Sequence, residues 1–166
     1  IGYVPQDAAL FSATIAENIS FGQPYEREEV LEAARLAVVR EDIDARAEGF
    51  ASRLGEKGTR LSGGQRQRVA VARELIRRPD LLLLDDVFSA LDYRTQTELV
   101  ENLREVEAGR TTLIVSQRIA AVKHARFILV MDGGRIAETG THDELIAAGG
   151  LYYRLYEQQL AAGDLS

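Results

Sequence analysis

Four consecutive leucines, Leu81 to Leu84, lead directly into two carboxylates, Asp85 and Asp86. The run has no polar alternation, so it predicts a parallel strand buried on both faces that ends in acid. Thr111 to Ser116 predicts a second buried strand, and Ile1 to Val4 a short third one stopped by Pro5. The chain opens in mid-strand without an initiator Met, which predicts a fragment whose beginning is missing. Elsewhere apolar residues recur at helical spacing. Gln65 to Arg78 predicts a helix ended by Pro79-Asp80; Thr95 to Val106 predicts another with Leu99, Val100 and Leu103 inward. Upstream, Ala13 to Ile19, Glu26 to Val39 and Glu41 to Glu48 read as helices, the second with Val30, Ala33, Ala34, Ala37 and Val38 on one face. They predict a small helical subdomain inserted between Gln6 and Leu61, after which Gly49, Gly55 and Gly58 return the chain in a loop. Downstream, Ile119 to His124 predicts a short helix, and Phe127 to Met131 and Arg135 to Glu138 flank a hairpin turn at Asp132-Gly133-Gly134. Thr141 to Ala148, capped by Thr141 with Glu144 three residues on, and Tyr152 to Leu160 close the pattern as helices, and Ala161 to Ser166 is expected to fray. Strand–helix alternation after residue 80 argues for an α/β core with a largely parallel sheet.

Chemistry gathers on either side of the Gln65 helix. Ser62 and Gln65 have the spacing of a capping box and mark a helix start. Gly63 and Gly64 lack a Cβ and let the backbone approach a ligand closely. The free N–H groups of a helix start suit a phosphate. Ser-x-x-Gln alone fits an ordinary capped helix, but two glycines in the first turn are costly unless something requires them. Ligands collect at the carboxyl ends of parallel strands. Asp85, at such an end, suits Mg²⁺ directly or through water, and Asp86 is placed to position or polarise a water.

Composition narrows the classes. The chain has 166 residues, 46% apolar and 28% charged, the profile of a single globular domain. A net charge of -6 and a pI near 5.0 disfavour non-specific binding to nucleic acid or to an anionic membrane. There is no Cys, so disulfides and thiolate metal sites are excluded. Apolar runs fall far short of the roughly 20 residues a membrane-spanning helix requires.

The stretch LSGGQRQRVAVARELIRRPDLLLLDDVFSALD resembles the signature motif, Walker B strand and D-loop of an ATP-binding cassette (ABC) transporter ATPase. Gln6 in YVPQDAALFSATIAENISFG resembles the Q-loop of the exporter class, Glu56 in LGEKGTRLSGGQ its x-loop, and GTHDELIAAGGLYYRLYEQQL its C-terminal part. The resemblance covers essentially residues 1–160. It implies a P-loop NTPase-like core with a largely parallel sheet and an inserted helical subdomain, lacking its N-terminal part. Residues 7–60 would hold most of the Q-loop and helical subdomain, 61–92 the signature, Walker B and D-loop, and 93–166 the rest of the core. It also implies ATP and Mg²⁺ as ligands. Gln6 would sense the Mg²⁺ and the attacking water, where coupling helices of transmembrane domains dock, and Asp85 would serve the Mg²⁺. Ser62, Gly63, Gly64 and Gln65 would hold the γ-phosphate of an ATP bound on a partner subunit, and Ser89, Ala90, Leu91 and Asp92 would communicate across the dimer. The family's G-x-x-x-x-G-K-[ST] loop and its adenine-stacking aromatic do not occur in this sequence and belong before Ile1.

Two departures alter the expectation. The family has Glu after the Walker B Asp, and here Asp86 withdraws the carboxylate by one methylene. A shift of about 1 Å can cost roughly 10²-fold in rate. The family's switch His precedes Arg118, and here Gln117 stands there, able to hydrogen-bond a phosphate but not to titrate near neutral pH. The chain's histidines, His124 and His142, read as surface residues, and Met131 and Tyr152-Tyr153 as packing. Both departures weaken the same site, so the resemblance points to the degenerate half of a heterodimeric exporter. Its catalytically intact partner would be a different nucleotide-binding domain, with transmembrane domains fused upstream, at the cytoplasmic face of a bacterial plasma membrane and without nucleic acid. The other readings are a non-catalytic regulatory nucleotide-binding domain, an importer ATPase, a ribosome-acting ABC protein and a soluble ABC ATPase of DNA maintenance. The last carries a long coiled coil between Q-loop and signature, where this chain has only residues 7–60.

Overall fold

The computed structural model describes residues 1–55, 58, 60–106 and 109–163. Two units form, Ile1–Val115 and Ser116–Ser166. In the first, strands β1 (Gly2–Val4), β2 (Leu81–Asp85) and β3 (Thr111–Val115) form a parallel sheet in the order β1-β2-β3, with Val4 opposite Leu84 and Asp85 opposite Val115. The parallel α/β expectation holds. Within this portion of the chain the two longer strands are covered unequally on their two faces. Leu82 and Leu84 are buried, but Leu81 and Leu83 on the other face of β2 are only half-buried. β3 lies at the sheet edge, where Leu113 and Val115 are exposed.

Helices α1 (Ile15–Ser20), α2 (Arg27–Leu36) and α3 (Arg40–Asp44), followed by a 3-10 turn at Gly49–Ala51, occupy the region between Gln6 and Leu61. α1 starts with a capping box between Thr14 and Glu17, and α2 with one between Glu26 and Glu29. The helix expected over 41–48 is shorter and starts one residue earlier. α1 and α2 pack on α4 (Gly63–Leu75), which carries the buried residues Val69, Val71 and Ala72. α4 includes both glycines and ends three residues before the expected Arg78, which adopts a left-handed backbone at φ 49°. α5 (Tyr93–Glu105) buries Leu99, Val100 and Leu103, as its periodicity requires.

The second unit has α6 (Ile119–Val122), the antiparallel pair β4 (Ile128–Asp132) and β5 (Arg135–Gly140), α7 (His142–Ala148) and α8 (Leu151–Ala162). Gly133 and Gly134 turn the hairpin at φ 54° and 75°, the left-handed pair that matches strand twist. Ile119, Ile128, Val130, Leu145 and Tyr152 form its core. Met131 is not a packing residue: the pleat turns it outward next to inward Val130, and it is exposed. His142 is not a free surface residue either, because its Nδ1 pairs with the Tyr152 hydroxyl at 2.9 Å and its ring meets Tyr156 edge-on. Among the described residues no helix is long and apolar enough to cross a membrane.

Candidate functional site

The end of β2 is built from two neighbouring strands and the turn that follows. The Asp85 carboxylate, half-buried, accepts a hydrogen bond from the Tyr3 hydroxyl at 3.2 Å. Loss of hydration and the adjacent Asp85 charge both hold the Tyr3 phenol above its usual range. Asp86 turns the chain out of the sheet. Its backbone is left-handed at φ 48°, a conformation Asp tolerates better than most residues. Its N–H donates to the Val115 carbonyl at 2.8 Å, and its carbonyl accepts from Ser89 Oγ at 2.9 Å. The Gln6 side-chain amide donates to Asp86 Oδ2 at 3.3 Å. Gln6 is thereby brought to Asp86, the neighbour of Asp85 in the chain, while Asp85 itself is tied to Tyr3. Gln6 itself is held from below, because the buried Gln67 of α4 donates to the Pro5 carbonyl at 2.9 Å.

Two carboxylates and an amide carbonyl are an all-oxygen donor set. Among the described residues there is no group of three or more His, Asp or Glu that could cage a metal. That set fits Mg²⁺, which is usually held by one or two carboxylates together with substrate phosphates.

The start of α4 is the second cluster. Ser62 Oγ accepts the Gln65 N–H at 3.2 Å and Gln65 Oε1 accepts the Ser62 N–H at 3.1 Å, completing the expected capping box. The box leaves the N–H groups of Gly63 and Gly64 as first-turn donors with no acceptor inside the helix. The glycines differ. A Cβ on Gly64 would stand 2.8 Å from the Ala90 carbonyl oxygen, so α4 needs that glycine to pass the Ala90-Leu91 backbone. A Cβ on Gly63 would meet nothing closer than 3.9 Å, and Gly63 is exposed. Gln65 Nε2 donates to Asp42 Oδ1 at 2.9 Å, and Asp42 Oδ2 pairs with Arg68 at 2.8 Å, tying α4 to α3.

Between the clusters, Ser89 and Ala90 are exposed and Leu91 is buried. Asp92 caps α5 by accepting from Thr95 N at 3.0 Å and Thr95 Oγ1 at 2.8 Å, bonds that hold its carboxyl below the usual range. Glu56 lies outside the described residues. Gln117 belongs to the second unit, where its side chain is exposed. Its carbonyl accepts from Gln159 Nε2 at 2.7 Å, and Gln159 Oε1 accepts the Ile119 N–H at 2.9 Å, so α8 fixes the backbone on either side of Arg118.

Sequence reasoning missed Tyr3, Asp42, Gln67 and Gln159. The strand pattern carried a signal for Tyr3, which alternates outward between buried Gly2 and Val4. The other three act through contacts between elements remote in sequence, which no local pattern marks.

The comparisons with known proteins agree with one another. The sequence model of the ABC transporter family matches residues 1–89. The chain is 49% identical over 160 residues to the probable multidrug resistance ABC transporter ATP-binding/permease protein YheI of Bacillus subtilis, covering 96% of this chain and 27% of that protein. It is 47% identical over 165 residues to the cyclolysin secretion/processing ATP-binding protein CyaB of Bordetella pertussis, covering 99% of this chain and 23% of that protein. A solved structure of a bacterial Atm1-family ABC exporter with ATP bound superposes with a TM-score of 0.90 at 41% identity, over 96% of this chain and 28% of that one. The chain thus spans about a quarter of the length of the relatives it matches. With the parallel sheet, the capped LSGGQ helix and the paired acids at the end of β2, these matches establish that the chain belongs to the ABC transporter family.

Proposed function

We propose that this chain is part of the nucleotide-binding domain of an exporter that works as a head-to-tail dimer closing on ATP, and that it contributes to two unequal ATP sites. The supporting observation is the state of Asp86: its carboxylate is one methylene short of a Glu and accepts the Gln6 amide at 3.3 Å. A general base must reach the attacking water in hydrogen-bond geometry. Asp86 is set back from that reach and shares its charge with an amide donor. Gln117 offers an amide where an imidazole would exchange a proton. Asp85, with the Gln6 carbonyl, would hold Mg²⁺, which supplies charge neutralisation to a phosphoryl group when bound. The first-turn N–H groups of Gly63 and Gly64, with Ser62 and Gln65, would meet the terminal phosphate of an ATP carried by the second subunit.

In this reading the second nucleotide-binding domain is a different, catalytically intact chain. Transmembrane domains are fused upstream, and the assembly works at the cytoplasmic face of a bacterial plasma membrane. ATP hydrolysis at the site containing Asp86 is weak, while the one completed by this chain's LSGGQ is active. The test is Asp86→Glu together with Gln117→His in the complete transporter. The expected result is a rise in ATP turnover at this chain's own site and a loss of asymmetry between the sites. Unchanged turnover and unchanged asymmetry would refute it. A purely regulatory domain is the second reading, favoured by the same two residues, and slow but nonzero hydrolysis at the Asp86 site excludes it.

A further inference from the structure

We infer that Tyr3 is a positioning residue for the metal-holding carboxylate: its hydroxyl fixes the orientation of Asp85 and so sets the affinity of this site for a divalent cation. The inference rests on the reading of Asp85 as the carboxylate that holds the cation. β1 and β2 run parallel with Tyr3 opposite Leu83. Side chains alternate along a strand, so Asp85, two residues beyond Leu83, shares a face with Tyr3. With strands about 4.8 Å apart and a rise of about 3.3 Å per residue, such diagonal neighbours lie about 8 Å apart, within reach of an aromatic side chain. The contact is made: the Tyr3 hydroxyl donates to Asp85 Oδ2 at 3.2 Å.

Tyr3 is 52% exposed within this portion of the chain, and its hydroxyl bond to Asp85 is what defines its side-chain position. Its backbone is nonetheless fixed, because Gly2 and Val4 on either side are buried. A Cβ on Gly2 would stand 2.9 Å from Pro79, so β1 lies tight against the connection between α4 and β2. The phenol therefore reaches across the sheet from a rigid strand. With one carboxylate oxygen accepting the phenol O–H, the carboxyl plane cannot rotate freely and the other oxygen remains for a cation. Mg²⁺ demands near-ideal octahedral geometry. A site with few protein ligands depends on each one being held in orientation, and loss of such a supporting hydrogen bond costs about 10–100-fold in metal affinity.

The test measures Mn²⁺ binding by electron paramagnetic resonance to the full-length protein with a non-hydrolysable ATP analogue, and ATP binding separately in EDTA. Three variants are compared: Tyr3→Phe, Asp85→Asn and the pair. The inference expects Tyr3→Phe to raise the Mn²⁺ Kd by roughly 10-fold or more. ATP affinity in EDTA and the melting temperature stay unchanged, and the pair binds Mn²⁺ no more weakly than Asp85→Asn alone. If Asp85→Asn weakens Mn²⁺ binding and Tyr3→Phe does not, the positioning role is wrong and the site reading stands. If neither changes it, the reading of Asp85 fails and the inference with it. If Tyr3→Phe weakens ATP binding in EDTA as well, its role is general to the fold and the inference is overturned.

Discussion

Gly63 and Gly64 are adjacent, but only Gly64 is required by packing, because its added Cβ would press on a carbonyl of the next segment. Gly64→Ala is expected to destabilise by about 1–3 kcal/mol through overpacking. Gly63→Ala has room and is expected to be neutral or to stabilise by up to about 1 kcal/mol, since Ala is the better helix former. Thermal melts of the two variants in the full-length protein check this, with the midpoint lowered in Gly64→Ala and unchanged or raised in Gly63→Ala. The motif alone suggested that both glycines serve a ligand, and it could not separate a glycine that admits a phosphate from one that admits a neighbouring backbone. Arg73 was also illegible. It is buried in α4, donates to the Asn18 carbonyl at 2.8 Å, Asn18 Oδ1 at 2.9 Å and the Ala9 carbonyl at 3.0 Å, and its guanidinium lies 5.1 Å from the Phe11 ring centre. Burial holds the guanidinium below its usual pKa. A lysine has a point charge and no planar fork. Arg73→Lys is therefore expected to cost about 2–3 kcal/mol, read from the denaturant midpoint.

At the scale of elements, helix starts were the most legible feature. The boxes at Ser62/Gln65 and Thr141/Glu144 form as the sequence spacing required, because a cap is a contact within four residues. The start of α8 depends on a residue from another element: Glu138 of β5 accepts the N–H groups of Leu151 and Tyr152. Those bonds hold the Glu138 carboxyl below the ordinary 4.5, and bonds from Thr141 do the same for Glu144. A carboxyl with a depressed folded pKa binds its proton less readily when folded, so its contribution is complete above pH 4.5 and is lost as pH falls through the folded value. The second unit should therefore loosen in acid, and Glu138→Gln should remove much of that dependence. Protection factors of the Leu151 and Tyr152 amides, followed from neutral pH into acid, measure it.

For the whole molecule, the ABC family was legible because its landmarks are short and local: LSGGQ, an acid-terminated apolar strand and SALD. The central claim is the division of labour between LSGGQ and Asp85-Asp86. Gly63 is the position to probe it, because a side chain fits there and an acid would repel a phosphate. The most direct measurement is steady-state ATP turnover of the complete transporter carrying either Gly63→Asp or Asp86→Asn, with melting temperatures confirming that both fold. The account predicts that Gly63→Asp lowers turnover by about 10²-fold or more, the scale of losing one preorganised donor, and that Asp86→Asn changes it by less than about two-fold. A collapse of turnover in Asp86→Asn with Gly63→Asp unaffected would contradict it.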